Sequence, residues 1–159
     1  MNTIRKTTFA ILLLAACLIA ACKADIARNS DGSINIETTI SQEELQDVIT
    51  ASIADPLVKE VTVSMQQGYV LVYGERVRLN DSSRTDTLSF RLEMGVDNGQ
   101  LTTRISDATL DGIAIEQDRV NLWNERINNR LARQPQRNTT LQSLLITPEA
   151  ITMAWLVSK

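Results

Sequence analysis

The sequence predicts an α+β domain: a bent antiparallel sheet wrapped around or packed against two helices. Three observations predict it. Two stretches carry apolar residues at helical spacing, and each opens on residues that start helices. Between and after them apolar and polar residues alternate with a period of two, as in strands with one buried face. Short turn signals, Gln67-Gly68, Asn98-Gly99 and Asp111-Gly112, separate the alternating runs, and short turns join sequential strands into antiparallel pairs.

The chain of 159 residues opens with Arg5 and Lys6 ahead of an uncharged run over residues 7–21 that holds Phe9, Ile11, Leu12, Leu13, Leu14, Leu18 and Ile19. This is the basic and apolar pattern of a secretory signal, and it falls short of the roughly 20 residues that span a bilayer core. It ends in Ile19-Ala20-Ala21-Cys22, an aliphatic residue and two small ones before a cysteine. That pattern resembles the lipobox, where a signal peptidase cuts and the cysteine receives diacylglycerol. Leu14-Ala15-Ala16-Cys17 has the same form but leaves an apolar run of only about seven residues, the bottom of the usual range. Cys22 is therefore the expected lipid anchor; ordinary cleavage after Ala21 or Ala24 with no lipid is the alternative. Residues 1–21 are read as lipoprotein signal, 22–33 as lipidated cysteine and flexible tether, and 34–159 as one α+β domain. The polar, turn-rich tether extends to about 35 Å. The expected location is extracytoplasmic, lipid-anchored in a cell or outer membrane. Lys23, rather than Asp, after the cysteine resembles an outer-membrane address in a two-membrane bacterium; with one membrane the protein would sit on the outer face of the cell.

The domain opens with an alternating strand over residues 34–40. Ser41-Gln42-Glu43-Glu44 follows as a capping box, with Ile40 and Leu45 placed for a hydrophobic staple. Leu45, Val48, Ile49 and Ile53 mark one helical face, and Asp55-Pro56 ends the helix. From Leu57 the period becomes two. Val61, Val63 and Met65 alternate with polar residues, then Tyr69-Val70-Leu71-Val72-Tyr73 is apolar on both faces and runs to Gly74, a bulge position. A strand covered on both sides is the expectation. After a loop over residues 80–83, Leu88, Phe90, Leu92, Met94 and Val96 alternate without a break. Leu101, Thr103 and Ile105 continue on the return strand, where Ala108 and Leu110 fall on the opposite parity, so one bulge near Asp107 is predicted. Asp118 is placed to cap a second helix through about residue 133, with a stripe of Val120, Trp123, Ile127 and Leu131 opposite Asn121, Asn124, Glu125, Asn128 and Asn129. A loop with Pro135, a strand over residues 141–146, a Pro148-Glu149 turn and a last strand with Ile151, Met153, Trp155 and Val157 complete the chain.

Composition narrows the function. Loss of Arg5 and Lys6 with the signal takes the formal net charge from -3 to -5. A mildly acidic chain without a basic block excludes nucleic acid as an expected partner. Histidine is absent, which removes the commonest general base and transition-metal ligand. With Cys22 acylated and Cys17 cleaved away, no thiol is left for disulfide or redox chemistry, so the core must hold the fold. No cofactor or metal is expected.

The early capped helix, the strand pair over residues 61–79 with its Gln-Gly turn, and the stretch 90–131 with turn Asn98-Gly99, segment 105–113 and helix 120–131 follow one another in an order that resembles small bacterial lipoproteins related to the tubular lipid-binding (BPI-like, TULIP) superfamily. The resemblance covers most of the mature chain. It implies phospholipid or acyl-chain binding between helix and curled sheet without chemistry, and the short chain implies an open groove rather than a closed tunnel.

On that reading Val70, Val72, Leu88, Phe90, Leu92, Met94, Trp123, Ile127, Leu131 and Trp155 are the candidates to line an apolar groove; the same residues also read as ordinary core. Asp97, Asp107 and Asp111 lack the spacing of a calcium loop and read as turn residues. Glu43, Glu44, Asp47, Glu116 and Asp118 suit helix N-termini better than catalysis. The expected protein is a non-enzymatic lipoprotein whose partners are the membrane and a lipid or acyl-chain ligand; the alternative is an anchored envelope module that binds a protein or glycan and has no lipid cavity.

Overall fold

The computed structural model describes residues 24–132 and 138–158. The signal, both cysteines, residue 133 and Pro135 lie outside them. Nine strands and two helices form the described fold: β1 Ala24–Arg28, β2 Ile34–Ser41, α1 Gln42–Ile53, β3 Val58–Gln66, β4 Tyr69–Arg78, β5 Asp81–Asp97, β6 Gln100–Leu110, β7 Ile113–Ala114, α2 Gln117–Leu131, β8 Thr139–Ile146 and β9 Ala150–Val157. The class is α+β and every strand pair is antiparallel. The strands divide between two sheets, β1-β2-β9-β8 and β3-β4-β5-β6-β7.

Helix α1 forms as its sequence dictates. Ser41 Oγ accepts from the Glu44 N–H at 3.2 Å, and the Glu44 carboxylate accepts from the Ser41 N–H at 2.8 Å. Leu45, Ile49 and Ile53 are buried beneath it. At its far end Arg126 and Arg130 of α2 donate to the carbonyls of Ser52 and Ala51, both at 3.4 Å, where cations also complement the helix dipole.

The five-stranded sheet follows its turns. Asn98 and Gly99, with φ of 49° and 73°, and Asp111 and Gly112, with 52° and 78°, have the left-handed pairs that two-residue hairpins require. The register slips between Ser89 and Arg91, where Asp107 and Ala108 face Phe90; this is the bulge that the change of parity predicts. Gly74 is not a bulge. It pairs in register with Val61 and Leu88, and a Cβ there would lie 3.0 Å from the Glu60 carbonyl oxygen, so glycine serves a close backbone approach. The loop expected at residues 80–83 is shorter, since β5 begins at Asp81.

The expectation that β4 is covered on both faces is corrected. Val70 and Val72 are fully buried, whereas Tyr73 on the opposite face is 46% exposed. The Arg91 guanidinium stacks 4.0 Å above the Tyr69 ring there, and such rings and arginine stems are at home on a solvated sheet face.

The second helix buries Val120, Trp123, Ile127 and Leu131, the predicted stripe. Glu116 rather than Asp118 occupies its N-cap, and Asp118 lies in the first turn. Asn124 and Asn128, expected to face solvent, are half-buried. The two-residue β7 leaves most of the β6 edge unpaired, and Asn124 Nδ2 meets it by donating to the Thr103 carbonyl at 2.9 Å.

The four-stranded sheet forms a floor. Strand β8 runs along the hairpin ends of the other sheet, with Leu141 N–H donating to Gly99 O at 2.8 Å and Gly68 N–H to Ile146 O at 3.1 Å. Trp155 and Met153 face the core, and the Trp155 indole donates to Thr38 Oγ at 3.0 Å. Residues 24–28, expected within the tether, form edge strand β1 against β2. Ile26 is its one large apolar side chain, and it is 70% exposed.

Candidate functional site

The ten residues expected to line a groove sit in the core. Val70, Val72, Leu92 and Ile127 are fully buried, Leu88 and Phe90 are 2% exposed, and Trp123, Leu131 and Trp155 are 5% exposed. Met94 is half-buried against them. Phe90 and Trp123 pack ring on ring, with centroids 6.0 Å apart. The structure thus brings all ten together, as filling between sheets and helices. A cleft of about 160 Å³ touches Leu131 where helices and floor meet, and a concavity of about 600 Å³ beside β1, lined by Asp25, Ile26, Glu37 and Ala154, touches Trp155.

A larger concavity, about 700 Å³, lies at the end of the molecule away from the floor. That is within the size range of small-ligand sites. Three elements build it. The β4–β5 hairpin contributes Arg76, Arg78, Leu79 and Arg84, the β6–β7 hairpin contributes Leu110, Asp111 and Ile113, and the start of α2 contributes Ile115, Glu116 and Arg119. Leu79 and Ile113, at adjacent hairpin tips, are 78% and 74% exposed. Both line this cleft.

Ion pairs brace this end. Arg78 bridges the two hairpins, pairing with Asp86 on β5 and, at 2.8 Å, with Asp111 on the next turn. Asp111 also accepts from the Thr87 N–H at 3.1 Å; this bond, with the Arg78 charge, outweighs partial burial and holds its carboxyl below the ordinary value. Arg76 pairs with Asp55, just beyond α1, at 2.9 Å. Burial pushes the Asp55 carboxyl up, but the bonds from Arg76 and the Leu57 N–H and the charges of Arg76 and Arg119 win and lower its pKa. Among the described residues Arg84 and Arg119 make no ion pair. The cleft therefore combines apolar walls with two guanidinium groups that have no acid within ion-pair distance among the described residues, although Asp81, Asp86, Asp111 and Glu116 also line it.

The lowered Asp55 pKa fixes a pH dependence. A carboxyl depressed in the folded state adds stability above its unfolded value, about 4, and that stability is lost as pH falls through the folded value. Urea midpoints should stay level from pH 7 to about 5 and drop below that, and Asp55→Asn should remove part of the drop.

Sequence reasoning missed Leu79, Arg84, Leu110, Ile113, Ile115 and Arg119. A signal was present: Leu79 and Ile113 are apolar residues beside turns, outside the alternation that fills the core. The three acids considered for calcium are set apart, with Asp97 at the β5–β6 turn, Asp107 at the bulge and Asp111 in the brace. Among the described residues no three His, Cys, Asp or Glu side chains group to hold a metal, and no helix is long and apolar enough to cross a membrane. No family model matches the chain, and no curated protein and no solved structure is significantly similar to it.

Proposed function

We propose that this chain is an extracytoplasmic lipoprotein, anchored by diacylglycerol on Cys22, that binds a lipid or similar amphiphile in the cleft between its hairpin tips and the start of α2, with no bond made or broken. One observation carries the reading: Leu79, Leu110 and Ile113 face the same concavity as Arg84 and Arg119, which lack acidic partners among the described residues. Apolar walls take an acyl chain at about 0.8 kcal/mol per buried methylene, and guanidinium groups take its acidic head. The resemblance to tubular lipid-binding proteins supports the ligand class. In the proposal the site moves from the interior to the surface. The packed interior also favours a second reading, an anchored module that binds an envelope protein through the same end.

Native mass spectrometry of residues 24–159, expressed without the anchor, separates the two. Retained lipid, or uptake of palmitate, supports the first reading; a clean apo mass with no uptake contradicts it. Arg84→Glu with Arg119→Glu should weaken palmitate binding about tenfold or more, from the loss of charge-assisted bonds. Arg84→Glu alone should leave the urea midpoint nearly unchanged, because that side chain is exposed and unpaired among the described residues, whereas Arg119→Glu sets an acid near Asp55 and should lower it modestly. Intact-mass analysis of the full chain tests the anchor: the diacylglyceryl mass should survive Cys17→Ser and disappear with Cys22→Ser.

A further inference from the structure

We infer that the outer face of the four-stranded floor rests on the bilayer that holds Cys22, while the cleft opens to water at the opposite end and takes its ligand from the aqueous compartment. This rests on the acylation of Cys22 proposed above.

The first support is the length of the link. Only Lys23 separates Cys22 from Ala24, so whatever its conformation the link reaches at most about 7 Å. From Ala24 onward the chain has no slack. All five residues of β1 pair with β2, from Ala24 opposite Thr38 to Arg28 opposite Ile34, and the turn that follows is closed by Asn29 N–H donating to Ser33 O at 2.9 Å. The domain is clamped by an edge of its floor.

The second support is direction. Helix α2 spans the molecule: its last residues, Arg130 and Leu131, line a cleft with Thr38 and Met153 of the floor, and Arg119 in its first turn lines the large cleft. Fifteen helical residues measure about 22 Å, so the hairpin tips stand well clear of the anchored edge.

The third is the face turned toward the membrane. Residues directly opposite in antiparallel strands share a face, so Ala27, Ala154, Leu156 and Leu145 lie on the outer side of the floor among uncharged polar residues such as Asn35 and Thr152, with Asp25 and Glu37 the acids there. Leu145 is 55% exposed. A face of small, apolar and uncharged polar residues with few charges suits a neutral headgroup layer and gives an anionic one no attraction.

The test uses the full acylated chain in phosphatidylcholine nanodiscs. Acylation leaves no free thiol, so Ala27→Cys, Leu156→Cys and Leu79→Cys each accept one fluorescent label. With a nitroxide on the lipid headgroups, labels at residues 27 and 156 should lose at least half of their emission, and the label at 79 should keep nearly all of it. Quenching at 79 alone, or at no site, overturns the inference. If the Cys22 mass shift is absent, the anchor reading itself fails, an outcome the mass spectrum distinguishes from a wrong orientation.

Discussion

Phe90→Ala should destabilise the domain by about 3–5 kcal/mol, the usual cost of removing a buried aromatic ring. Phe90 is 2% exposed and packs on Trp123 across the space between β5 and α2, with the bulge at Asp107 and Ala108 opposite it. No neighbour of this kind collapses freely into the vacated volume, so both lost contacts and a cavity add to the cost. Had Phe90 been the wall of an open groove, truncation would cost little and would instead weaken ligand binding. Val96→Ala, on the same strand and parity but 39% exposed, should cost less than about 1 kcal/mol. Chemical denaturation of the two variants, with the slope checked for two-state behaviour, reads the difference.

Gly99→Ala should be nearly as damaging, at about 2–4 kcal/mol, and its partner can be named. The residue has φ of 73°, which costs an L side chain about 1–2 kcal/mol, and an added Cβ would collide with Thr140 Cγ2 on β8, an overpacking penalty of about 1–3 kcal/mol. The collision occurs at the joint between the two sheets, beside the bond from Leu141 N–H to Gly99 O. Thr140→Ala removes the colliding methyl, so the double variant should recover the steric part and retain the cost of the backbone angle. A coupling energy of about 1–2 kcal/mol in the double-mutant cycle would establish that the floor is docked on the β5–β6 turn as described. Additive effects would mean that the sheets meet elsewhere.

Local chemistry made much of the fold legible. Ser41 and Glu44 announce the start of α1, the Asn-Gly and Asp-Gly pairs announce their hairpins, and the switch of parity after Ile105 announces the bulge at Asp107. Each of these signals acts within a few residues. The division into two sheets depends on β2 pairing with β9, Ile36 opposite Trp155, and periodicity carries no record of a partner more than 100 residues away. Strand β1 escaped notice because an edge strand with one large apolar side chain looks like a linker. The first half of β5, residues 81–87, is polar throughout because it projects past the core as one arm of a hairpin. The cleft was illegible for the same reason: its walls come from two hairpin tips and a helix end that only the folded topology brings together. The apolar stripe from Leu88 to Met94 was read correctly as one face, but a buried stripe has the same sequence whether it lines a groove or fills a core.

The proposed function turns on where an amphiphile binds. Methyl-resolved NMR of residues 24–159, titrated with palmitate below its aggregation threshold, answers this directly. The prediction is that shifts gather on the methyl groups of Leu79, Leu110, Ile113 and Ile115, while those of Val70, Val72, Leu88 and Leu92 stay fixed. Shifts centred on the latter four would place the ligand in the interior and contradict the proposed site.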